Sequence, residues 1–71
     1  MEETLLTKVR PETLEALMSV TSDVVNEIKE AVPDRDERLR DEHYVFCLTL
    51  NLDIVQILRR KMLDELEYTN N

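Results

Sequence analysis

The sequence predicts an all-α fold: a two-helix hairpin that dimerises into a four-helix bundle and carries a short extended N-terminal arm. Three observations lead there. Glycine is absent and only two prolines interrupt the 71 residues, so long helices meet few breaks. Apolar residues recur at helical spacing on both sides of Pro33. The second of these segments, Val45 to Leu66, is apolar around roughly 240° of a projection at about 100° per residue, far more than one partner helix covers. A chain of this length cannot wrap that arc with its own elements, and small chains of marginal stability are commonly rescued by oligomerisation.

Residues 1–71 read as one helical domain, with an arm over 1–10, a first helix over 11–32 and a second over 34–67. In the first helix Leu14, Met18, Thr21, Val25, Ile28 and Val32 follow a 4,3,4,3,4 spacing. Pro11 suits a first helical position, Glu12 and Glu15 lie at the positive end of the helix dipole, and Pro33 forces a stop by disfavouring the α conformation in Val32. Asp34 then offers a cap and Glu37, three residues on, the return bond of a capping box. The run DRDERLRDEH adds i,i+4 pairs at Asp34–Arg38, Asp36–Arg40 and Arg38–Glu42. It reads as a solvated helical stretch, and the reading adopted is one long second helix, bent near His43, over a short separate helix or a connector. Before Pro11, the alternation of Leu5, Thr7 and Val9 with Leu6, Lys8 and Arg10 suits a short strand or an extended arm lying on a partner; a lone strand has no ladder to join, so an ordered arm must pair with its copy in a second chain or lie along helices.

Charge and composition exclude several classes. A formal charge of −7 repels nucleic acid and anionic lipid at long range, and without glycine no phosphate-cradling loop exists. No window approaches the roughly 18 apolar residues of a membrane span. The start, MEETLLTK, has neither the basic region nor the apolar run of a signal peptide, and the lone Cys47 can make no internal disulfide, so a cytoplasmic protein is expected.

Chemistry-bearing residues are few. His43 stands alone between charged neighbours, and consecutive helical positions do not converge on a tetrahedral metal site. Cys47, four residues on, shares its helix face but lacks an oxyanion donor set, and reads as a small core residue. The many carboxylates lack the E-x-x-H partner of a helical di-metal site and the glycine of a calcium loop. No catalytic residue, cofactor or metal is therefore expected.

The start TLLTKVRPETLEAL resembles the strand and first helix of ribbon-helix-helix repressors, which would imply a dimeric strand pair reading DNA. Glu12 to Thr21 is too short for that family's first helix and turn, and the net charge opposes DNA, so the assignment is not adopted.

The two stripes divide into an intrachain core, Leu14, Met18, Val25, Ile28, Leu50, Ile54 and Ile57, and an oligomer interface, Leu48, Asn51, Leu52, Val55, Leu58, Met62 and Leu66. Asn51 falls inside the apolar arc. It either bonds its own copy across a two-fold axis, fixing register, or sits at a groove edge bonded to water or backbone. Lys8, Arg10, Arg59, Arg60 and Lys61 form the one candidate nucleic-acid patch, and Asp64 and Glu65 stand close enough to neutralise part of it. The expected function is a small acidic noncatalytic oligomer, a dimer first, acting as an interaction module for a protein partner. The alternative is a dimeric nucleic-acid-binding regulator using that patch.

Overall fold

The computed structural model describes residues 4–70, with side chains to residue 68. A 3₁₀ turn at Leu5–Lys8 leads into α1 (Pro11–Ala31), a short α2 (Arg35–Leu39) and the long α3 (Glu42–Asn70). The chain is all-helical, with no strand among the described residues. No described helix is long and apolar enough to cross a membrane.

The arm departs from its predicted extended form at Leu5–Lys8, while Thr4, Val9 and Arg10 keep extended backbones; its first three residues lie outside those described. Thr7 N–H donates to Thr4 O at 3.1 Å, Thr7 Oγ1 donates to the same carbonyl at 2.8 Å, and Val9 N–H donates to Leu6 O at 3.1 Å. A single strand has no ladder to join, so its backbone groups find i+3 partners within the segment instead. Lys61 Nζ on α3 donates to Thr7 O at 3.0 Å and ties this turn down.

Helix α1 starts with Pro11 at its first position and ends one residue before the predicted Val32, whose backbone leaves the α region (φ −129, ψ 87) as a following proline favours.

The predicted single helix over 34–67 is replaced by two. Asp34 Oδ1 accepts from Asp36 N–H at 3.0 Å, capping α2, while no bond returns from Glu37 among the described residues. At the break, Arg40 N–H donates to Glu37 O at 3.3 Å and Asp41 N–H to Arg38 O at 3.1 Å, a 3₁₀-like tightening. Asp41 Oδ1 then accepts from His43 N–H at 2.9 Å and Tyr44 N–H at 3.0 Å, so α3 begins with its own cap. The break lets α2 fold back on the end of α1. Arg38 Nη1 donates to Val32 O at 2.8 Å and Pro33 O at 2.9 Å, and its guanidinium lies 5.8 Å from the Tyr44 ring centroid. The predicted i,i+4 ion pairs of this run are not formed among the described residues, because Asp34 and Arg38 serve backbone groups instead.

α1 and α3 are the packed pair. The bonds from Asn51 to Met18, Thr21 and Ser22 and from Lys61 to Thr7 run the two helices antiparallel. Leu14 and Ile54 are fully enclosed, and Val25, Tyr44 and Thr21 are buried with them. Met18, Ile28, Leu50 and Ile57 of the predicted core are half-buried. At about 1.5 Å per residue α3 outruns α1 by roughly 12 Å. The molecule measures 49 × 22 × 17 Å, and its radius of gyration of 14.9 Å compares with about 11 Å for a compact chain of this length.

Candidate interaction surface

The surface that the fold leaves unsatisfied lies along α3. With Ile54 facing α1, a projection at about 100° per residue puts Val55 and Leu48 at the flank of the contact and Leu52 and Leu63 well beyond it. Exposure follows that geometry. Leu48 and Val55 are half-buried, whereas Leu52 is 63% exposed, Met62 59%, Leu66 51% and Leu63 50%. Met62, Leu63 and Leu66 also lie on the turns of α3 after Lys61, where α1 no longer covers it.

Val45, Leu48, Leu52, Val55, Arg59, Met62 and Leu66 form a continuous 3,4,3,4,3,4 row, the spacing of a seam between two helices, with Arg59 its only polar member. Beside it, between α1 and α3, lies an open groove of about 370 Å³ lined by Ser22, Val25, Asn26, Leu48, Asn51 and Leu52. Val20 and Val24 on α1 and Phe46 on α3 are exposed as well.

The predicted interface therefore divides. Leu48, Leu52, Val55, Met62 and Leu66 share the outer stripe, while Leu58, half-buried, projects to the α1 side with Asn51. Asn51 finds its partners inside the chain. Its Nδ2 donates to Thr21 Oγ1 at 2.8 Å and Ser22 Oγ at 2.9 Å, with Met18 O at 3.3 Å. Thr21 Oγ1 in turn donates to Met18 O at 3.0 Å. The reading of Asn51 as paired with its own copy gives way to this clamp across α1 and α3, while the reading at a groove edge bonded to backbone holds in part: Asn51 lines the groove and reaches Met18 O, with the Thr21 and Ser22 hydroxyls its closer partners.

The basic residues are brought to one end but largely engaged. Lys61 holds Thr7 O, Arg60 Nε lies 3.4 Å from Asp64 Oδ1, and Arg10 Nε lies 3.8 Å from Glu12 Oε1. Lys8 and Arg59 are exposed. His43 Nδ1 sits 3.9 Å from Asp41 Oδ1 with its side chain 90% exposed, and the Cys47 thiol is free and half-buried. Among the described residues no three His, Cys, Asp or Glu side chains converge on a metal site.

No family model matches the chain, and comparison with curated proteins and with solved structures returns no match.

Proposed function

We propose that the protein is a small acidic, noncatalytic helical module that self-associates through the outer stripe of α3, most simply as a two-fold dimer forming a four-helix bundle, and offers its charged exterior to a protein partner. The observation that carries this reading is the row Leu48, Leu52, Val55, Met62 and Leu66 along α3, half-buried at Leu48 and Val55 and more than half exposed at Leu52, Met62 and Leu66. Area supports it. The chain exposes 6047 Å², against about 4,600 Å² for a compact monomer of 8.4 kDa. The difference, about 1,400 Å², exceeds the roughly 800 Å² that each partner contributes to a standard interface. Partner contacts would fall on the exposed acids of α2 and its flanks, Asp34, Asp36, Glu37, Asp41 and Glu42. The rival reading, a nucleic-acid binder, draws on the basic end, where Arg10, Arg60 and Lys61 already serve contacts within the chain.

Light scattering behind size exclusion over a hundredfold concentration range tests the proposal. The native chain should elute at twice its monomer mass and Leu52→Glu, which places a charge in the middle of the stripe, should shift it to monomer without loss of helix content. A native chain that stays monomeric and folded at every concentration refutes self-association.

A further inference from the structure

Resting on that self-association, we infer that the occupant of the stripe is a second copy of α3 running in the opposite direction, about a two-fold axis that crosses the helix near Ile57, and that Arg59 sets this direction. The row is self-complementary about that point. Leu48 and Leu66 lie equally far from residue 57 on either side, as do Leu52 and Met62, and Val55 and Arg59. An antiparallel partner therefore sets Leu52 against the partner subunit's Met62 and Leu48 against the partner subunit's Leu66, next to the groove beside Leu48 and Leu52. This register covers Leu52, Met62 and Leu66, each more than half exposed in the single chain. Shifting by one heptad, to pair Leu52 with the partner's Val55, would leave Leu66 uncovered.

Direction follows from charge. In a parallel, in-register pair every residue of the row faces its own copy, so Arg59 would meet the partner's Arg59 inside an apolar seam, two like charges with no acid in the row to separate them. In the antiparallel pair Arg59 faces the partner's Val55, can lay its methylenes along that side chain, and can carry its guanidinium out to water. A polar seam residue of this kind commonly selects register at some cost in stability. Asn51 cannot take this role, because its amide protons are committed to α1.

The test measures distances between spin labels in the dimer of the full chain, with Cys47→Ala removing the native thiol and cysteines introduced singly at the exposed Gln56 and Glu67. Antiparallel pairing about residue 57 places the two Gln56 labels near each other and separates the two Glu67 labels by about 30 Å along the axis. Short distances at both positions would establish a parallel pair and overturn the inference. Long distances at both would move the interface off this stripe and overturn it equally. Arg59→Leu should add a short Glu67 distance beside the long one, and an unchanged single long distance would deny Arg59 its role. If Cys47→Ala fails to fold, isotope-filtered contacts between labelled and unlabelled native chains decide: a Leu52–Met62 methyl contact between subunits supports the pairing and its absence from a dimer overturns it. A monomer in all of these experiments removes the self-association reading itself, an outcome distinct from a dimer of the wrong direction.

Discussion

Replacing Asn51 with alanine tests whether the hairpin is held by a polar clamp as well as by its small apolar core. The side-chain amide has two protons and three oxygens within reach, the hydroxyls of Thr21 and Ser22 at 2.8 and 2.9 Å and the carbonyl of Met18 at 3.3 Å. Two net hydrogen bonds are therefore lost, at about 0.5–1.5 kcal/mol each, or about 1–3 kcal/mol together. The lower half of that range is expected, since Asn51 is half-buried and Thr21 keeps its own bond to Met18 O. For a chain this short each kcal/mol moves the midpoint by roughly 4–8 °C, so Asn51→Ala should lower Tm by about 4–16 °C. Thr21→Val removes the other half of the short contact at similar volume. Because the two side chains act on one bond, the double variant should be less destabilised than the two single changes added, with a coupling of about 1 kcal/mol. Thermal and urea unfolding followed by far-ultraviolet circular dichroism measure this, at one fixed protein concentration because association would make the midpoint concentration-dependent. Additivity within about 0.3 kcal/mol, or an Asn51→Ala midpoint equal to the native one, would refute the clamp.

Two further outcomes follow from the α2 region. Arg38→Met keeps the stem beside Tyr44 but removes the donors to Val32 O and Pro33 O, so amides of α2 should exchange at least tenfold faster while those around Leu14 and Ile54 stay protected; hydrogen exchange by NMR reads this. Asp41→Ala removes the cap that starts α3 and should cost about 0.5–2 kcal/mol in urea unfolding, with Asp41→Asn restoring most of it.

The parts of this fold legible in the sequence are those set by local rules. Pro11 and Pro33 bracket α1 to within a residue, and the 3.6-residue period finds Leu14, Val25 and Ile54, all buried. The break at Arg40–Asp41 was hidden because a dense run of alternating charges suits one continuous helix and two capped helices equally well. Only the fate of Asp41's carboxylate separates them. Tyr44 escaped notice as core for a related reason: the Arg38 beside it becomes a neighbour only after the chain turns back. The Asn51 clamp did leave a trace. Thr21 holds a core position in the first stripe and Asn51 one in the second, and a polar residue in each of two apolar stripes is a signal that the two belong together. In the arm, alternation indicates a strand only where a ladder exists to receive it, and here Leu5–Lys8 close into a 3₁₀ turn tied to α3 through Lys61, the placement along a helix that was one of the two open to an ordered arm.

The clamp also explains why the outer stripe stays outside. Rotating α3 by about 100° would bring Leu52 or Val55 against α1 and carry Ile54, now fully enclosed, toward solvent, an exchange of one apolar side chain for another in which burial lost and burial gained largely offset. The same rotation would pull Asn51 from the hydroxyls of Thr21 and Ser22 and leave the buried Thr21 without that bond, which costs about 0.5–1.5 kcal/mol. No single-chain arrangement of two helices buries both sides of an arc this wide, and the polar contact decides which side turns inward. Leu52, Met62 and Leu66 are thus held outward by the same contacts that fix the hairpin, so a mutation that loosens the clamp should weaken the proposed self-association as well as folding.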